Sequence, residues 1–133
     1  MNESKTKGKV LCVDDEAEVL NAVKNVLESD NYEVITARDG LEAVRLFKQN
    51  ESKLCGIVLD LNMPGISGRD VLTEIRKTYK SQIPIVILTA WKTLLPKENT
   101  EDSKTKLIEK PFCYEPFLKY VNTVFPKYAQ RKY

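Results

Sequence analysis

The chain contains no histidine. That excludes histidine as a nucleophile or general base and removes most zinc chemistry. Cysteine is scarce: Cys12, Cys55 and Cys113 make an odd count with no paired spacing. A disulfide framework is therefore not expected, and a reducing compartment, the cytoplasm, is. Cys12 and Cys55 lie in apolar runs and read as buried thiols. No apolar run is long enough to span a bilayer. Residues 1–9 are polar and lysine-rich with no hydrophobic stretch behind them, so no signal peptide is expected. Charge imbalance is also missing. A net charge of +2 gives no argument for nucleic acid. Lys127, Arg131 and Lys132 make the C-terminus mildly basic, but three charges on a tail are ordinarily solvated.

What remains is an ordinary globular composition, 42% hydrophobic and 30% charged over 133 residues. That length suits one domain with its own core and needs no staples. We expect a single domain over residues 1–133, with a core at about 8–126. No repeat or linker divides it.

Strand and helix patterns alternate. Residues 9–13 form a short apolar strand. In residues 16–29, Val19, Leu20, Val23, Val26 and Leu27 recur with helical spacing. Asp30-Asn31 stops that helix, since Asn tolerates the left-handed backbone a stop requires. Residues 32–37 give a second strand. Asp39-Gly40 opens a second helix with Leu41, Val44 and Phe47 on one face. Residues 54–59 give a third strand, 64–68 a loop, and Val71, Leu72, Ile75 and Tyr79 a third helix. Residues 84–88 are a fourth strand and 107–109 a short fifth. Residues 114–125 form a final helix with Phe117, Leu118, Val121, Val124 and Phe125 inward, and Pro116 fits its first turn. Continuous apolar strands imply a parallel sheet covered on both faces, hence a doubly wound α/β fold. The helix expected between strands four and five is weak. Residues 97–106 carry no apolar side chain, and Pro96 inside a helix costs ~3 kcal/mol. We expect that stretch to be short, distorted or disordered.

Polar groups follow the strands at one edge. They are Asp14 and Asp15 in Val13-Asp14-Asp15-Glu16, Asp60 in Leu59-Asp60-Leu61-Asn62-Met63-Pro64-Gly65, Thr89 in Leu88-Thr89-Ala90, and Lys110 in Lys110-Pro111-Phe112. In open α/β sheets, ligand groups collect at the carboxyl ends of the strands. Carboxylates gathered there repel, by about 4 kcal/mol for a pair at ~4 Å and an effective dielectric near 20. A cation relieves that. Lys110 supplies one charge, and hard oxygen ligands suit Mg2+. Taken singly, Asp14-Asp15 could simply cap a helix and Asp60 could be a turn residue.

In order and interval these four elements resemble the receiver domain of two-component response regulators, over about residues 8–126. Within that family it resembles single-domain chemotaxis-type or hybrid-kinase receivers. The resemblance implies a flavodoxin-like five-stranded sheet of order 2-1-3-4-5. It implies that Asp60 accepts a phosphoryl group from a histidine kinase or phosphotransfer protein, changing affinity for a downstream partner or a fused output domain. Asp14, Asp15, Asp60 and the backbone carbonyl of Asn62 would hold Mg2+. Lys110 would pair with a phosphoryl oxygen, its bond to Pro111 being cis in the family. Thr89 would donate its hydroxyl to the phosphoryl group, and Ala90 would leave the approach open. Such a chain is a switch rather than a metabolic enzyme, although it assists its own phosphorylation and dephosphorylation.

Two departures stand out. The family carries an aromatic where this chain has Leu107, and Gly-Ala where it has Ser103-Lys104. The usual threonine–aromatic coupling is therefore not expected, and phosphorylation is expected to reorder residues 91–106 instead. Trp91, two residues after Thr89, stands where an indole would shield an acyl phosphate from water. Those departures keep open a pseudo-receiver that binds partners without phosphate. A haloacid-dehalogenase-type phosphatase would need Asp-x-Asp, which Val13-Asp14-Asp15-Glu16 does not supply. A nucleotide site would need a Gly-rich loop after the first strand.

Overall fold

The structure, a computed structural model, describes residues 6–61, 68–89, 104–109 and 113–131, with the side chains of Thr89, Gln130 and Arg131 left aside. Its elements are β1 (Lys9–Val13), α1 (Ala17–Ser29), β2 (Glu33–Ala37), α2 (Gly40–Asn50), β3 (Leu54–Asp60), α3 (Gly68–Thr73), β4 (Ile85–Thr89), β5 (Thr105–Glu109) and α4 (Tyr114–Arg131). All strand pairs are parallel, in the order β2-β1-β3-β4-β5. Of the loop expected at 64–68, only Gly68 is described, and it opens α3. Of the segment at 91–106 expected to be short, distorted or disordered, only 104–106 are described, with Thr105 and Lys106 in β5. The rest of both stretches lies outside the described residues.

The sheet separates two apolar layers. Side chains alternate across a strand, so Leu11, Ile57, Leu59 and Ile87 face one layer with Phe47, Val71 and Ile75. Val10, Cys12, Val58, Val86 and Leu88 face the other, with Leu20, Val23, Leu27, Phe117, Val121 and Phe125. Every residue of the central strand β3 is buried. Gly56 is there because the Phe125 ring lies against it: a Cβ would fall within about 2.4 Å of ring carbons. Cys12 and Cys55 are buried, as expected, and Cys113 is exposed.

Four details differ from the sequence reading. Leu41 is 69% exposed. The buried face of α2 is Gly40, Ala43 and Phe47, and at 100° per residue Leu41 falls well off that face. The third helix continues beyond α3 as a π-helical stretch, Glu74–Thr78, closed by the Tyr79 N–H donating to the Glu74 carbonyl at 3.0 Å. β5 begins at Thr105, two residues early. Arg76 explains that start: its Nη2 donates to Thr105 Oγ1 at 2.9 Å and the Lys104 carbonyl at 3.0 Å, and its Nη1 to the Ile83 carbonyl at 2.6 Å. Finally, α4 runs through Pro126 to Arg131, where Tyr128 and Ala129 still pack on the two layers.

At the opposite edge from the strand ends, one polar group joins three segments. The Tyr32 hydroxyl donates to Asn122 Oδ1 at 2.6 Å, and Asn122 Nδ2 donates to Asp30 Oδ2 at 2.7 Å. Asn31, at φ 73°, makes the left-handed turn between α1 and β2. Burial, with smaller contributions from Cys55 and Asp30, pushes the Tyr32 hydroxyl above its usual value of 10.0. A raised pKa stabilises the fold below pH 10, and that contribution is lost as pH rises further, because the unfolded chain ionises first. We expect the unfolding free energy, measured with urea, to fall above pH 10 by up to about 1.4 kcal/mol per pH unit for this group. Tyr32→Phe should be less stable at pH 8 and show a shallower alkaline decline. A decline of equal slope would remove Tyr32 as its source.

Candidate active site

β1 ends at Val13, so Asp14 and Asp15 are the first residues beyond it. Asp60 is the last residue of the neighbouring β3. Adjacent parallel strands bring the segments side by side. Asp14, Asp15 and Asp60 each offer a carboxylate oxygen, and these atoms lie within 4.8 Å of one another. Asp14 and Asp60 are each 3% exposed, and Asp15 is half-buried.

Helix capping does not account for the aspartates. The N-cap of α1 is Glu16, whose side chain makes no cap bond. Asp14 Oδ1 instead accepts the Glu16 N–H at 2.9 Å, which folds the loop back on itself. The Asp14 N–H donates to the Ala37 carbonyl at 3.1 Å, tying that loop to the end of β2. On the other side, α3 starts hard against β3. The Gly68 N–H donates to the Leu61 carbonyl at 3.2 Å. A Cβ at Gly68 would sit 2.1 Å from the Asp60 carbonyl oxygen.

Thr89 ends β4, at the same edge as Asp60. Leu107 pairs with Ile87 across β4 and β5 and is only 7% exposed, so it is a packing residue of the α2–α3 layer. Asn62, Ala90, Trp91 and Lys110 lie outside the described residues. One contact was missed in the sequence: Arg38 Nη2 donates to the Asp15 carbonyl at 3.1 Å. Its signal was position, the first residue after β2 at the edge where the aspartates collect.

Three carboxylates on a rigid sheet edge, two of them buried, are a hard-oxygen donor set. Such a set fits Mg2+, which takes a few carboxylates and keeps water or phosphoryl oxygens in its other positions. The cluster therefore suits phosphoryl chemistry, where positioning and charge neutralisation do most of the work.

Comparison with known proteins agrees. The family model for the response regulator receiver domain matches residues 10–122. A probable transcriptional regulator, ycf27, of Guillardia theta is 45% identical over 85 residues, covering 64% of this chain and 32% of that protein. The transcriptional regulatory protein PrrA of Mycobacterium tuberculosis is 38% identical over 90 residues, 68% of this chain and 37% of PrrA. The chain thus spans about a third of the length of the curated relatives it matches. Among solved structures, the response regulator TrrA of Thermotoga maritima in complex with Mg2+ and BeF aligns with a TM-score of 0.75, and Vibrio cholerae chemotaxis protein CheY4 with 0.74. TrrA is 31% identical and is covered to 98%, against 88% of this chain. No helix among the described residues is long and apolar enough to cross a membrane.

Proposed function

Since the chain belongs to the response regulator receiver domain family, we propose that Asp60 is its phosphoacceptor and that Asp14, Asp15 and Asp60 hold the Mg2+ the reaction uses. Receiver domains are signalling switches rather than metabolic enzymes, and this chain is one of them. The observation that carries the residue assignment is the approach of three carboxylates to within 4.8 Å. A phosphate-independent binding module gives no reason to bury two of them.

Bound there, Mg2+ supplies positive charge to the phosphoryl oxygens. Asp60 is held at the end of an entirely buried strand, so its carboxylate is presented without a search. One of its oxygens forms the bond to phosphorus as the bond from phosphorus to the donor's leaving atom breaks, and the leaving group takes that electron pair. Asp15 and Asp14 would hold the cation, and by the family resemblance the Asn62 carbonyl would complete the protein ligands. Lys110 pairs with a phosphoryl oxygen, and Thr89 donates its hydroxyl to another. Ala90 keeps the approach open, and Trp91 slows attack by water. Leu107 occupies the switch position without an aromatic ring or a hydroxyl, so phosphorylation would act by reordering residues 91–106 rather than by turning an aromatic. The donor is a histidine kinase or phosphotransfer protein in the cytoplasm, and the reader is a downstream protein or an output domain.

Acetyl phosphate with Mg2+ tests this by intact mass. Wild type should gain one phosphoryl adduct, should gain none when Mg2+ is chelated before acetyl phosphate is added, and Asp60→Asn should gain none. An adduct of undiminished yield in Asp60→Asn would exclude Asp60.

A further inference from the structure

Arg38 is joined to two separate elements. Its backbone N–H donates to Glu42 Oε1 at 3.0 Å, and the Glu42 N–H donates to Asp39 Oδ1 at 2.8 Å, so its main chain belongs to the capped start of α2. Its side chain leaves that anchor and reaches the carbonyl of Asp15, 23 residues away in sequence. Arg38 is exposed, and apart from the Asp15 bond its guanidinium makes no other hydrogen bond or ion pair among the described residues.

Two effects of this arginine on a cation site oppose each other. Its positive charge, beside three carboxylates that gather Mg2+, lowers their attraction for a second cation. Its hydrogen bond fixes the backbone of the residue that carries one of those carboxylates. Exposure lets water and salt weaken the first effect. The second survives, because it is a matter of geometry: a ligand whose backbone is already fixed loses less freedom when metal binds.

We propose that Arg38 is a positioning residue for Asp15, a strut from α2 that holds the β1–α1 loop in its metal-ligating shape. This rests on the Mg2+ reading of the carboxylate cluster and deepens it. The two effects differ in sign, which makes the strut testable. If Arg38 acted by charge alone, removing it would tighten Mg2+ binding. As a strut, its removal weakens binding.

Mg2+ affinity by titration calorimetry on wild type, Arg38→Ala and Arg38→Lys separates these. Partners that orient metal ligands are typically worth 10–100-fold in affinity, and an exposed one should be worth less. Arg38→Ala is expected to bind Mg2+ about threefold to tenfold more weakly. Arg38→Lys, which keeps charge and a donor, should recover most of that loss. In metal-free protein, amide exchange at Glu16 should quicken several-fold in Arg38→Ala, while exchange at Val23 and Leu27 in α1 stays unchanged. Arg38→Ala with equal or tighter Mg2+ affinity, or with unaltered exchange at Glu16, overturns the strut while leaving the metal site intact. Wild type that binds no Mg2+ overturns the site reading itself and the strut with it.

Discussion

Asp15→Asn is expected to make the metal-free protein more stable and nearly blind to Mg2+. Three carboxylate oxygens within 4.8 Å of one another repel, by about 3 kcal/mol for a pair at that separation and an effective dielectric near 20. Asp15 is half-buried, so water and salt reduce that figure, and a gain of about 1 kcal/mol is expected on neutralising it. The amide matches the carboxylate in shape and leaves the Arg38 bond to the Asp15 backbone in place. What disappears is the charge that draws in the cation. Wild type should gain about 2.7 kcal/mol in Mg2+ at 100 times its Kd. The variant at the same Mg2+ concentration should gain less than about 1 kcal/mol. Urea unfolding with and without Mg2+ measures both. A variant less stable than wild type without metal, or one equally stabilised by Mg2+, would mean the three aspartates do not share a cation. A site that costs stability when empty and is relieved by its ligand is what function requires of it.

Gly68→Ala is expected to damage the fold and the chemistry together. The added Cβ would meet the Asp60 carbonyl oxygen at 2.1 Å and the Leu61 Cα at 2.6 Å. Both are backbone atoms, so no side chain can swing aside. Either α3 backs away, stretching the Gly68 N–H bond to the Leu61 carbonyl, or the end of β3 shifts. Crowding of this kind costs about 1–3 kcal/mol. A shift at the Asp60 carbonyl also moves the attached carboxylate, and a misplacement of about 1 Å can slow a positioned reaction roughly 100-fold. Stability by urea and adduct formation with acetyl phosphate should therefore fall together, the second by at least about tenfold. An alanine variant within about 0.5 kcal/mol of wild type would show that α3 is not pinned at this contact.

Much of this was legible in the chain because strand and polar edge carry distinct signals. Apolar runs place β1, β3 and β4 almost to the residue, and Asp14 and Asp60 are each the first polar group after such a run, with Asp15 directly beside Asp14. The errors have a common cause: contacts distant in sequence overrule local pattern. Leu41 is apolar yet exposed because Gly40, Ala43 and Phe47 decide which side of α2 meets the sheet. Thr105 and Lys106 look like loop, yet Thr105 is 3% exposed because Arg76, 29 residues earlier, gives its hydroxyl a partner. Proline ordinarily ends a helix, but α4 continues past Pro126 because the following turn still buries surface. The π-helical stretch at Glu74–Thr78 has no sequence signature. It places Arg76 where the guanidinium meets four acceptors, the Ser81, Ile83 and Lys104 carbonyls and Thr105 Oγ1. Arg38 escaped notice for the same reason, since its value lies in a bond across the edge of the sheet.

The most direct measurement locates the phosphoryl group. Wild type would be treated with acetyl phosphate and Mg2+, the acyl phosphate reduced with borohydride, and the product mapped by peptide mass. We predict that residue 60, and no other carboxylate, is converted to homoserine. Reduction at Asp14 or Asp15, or a phosphoryl group that resists borohydride because it sits on a hydroxyl, would contradict the assignment of the nucleophile.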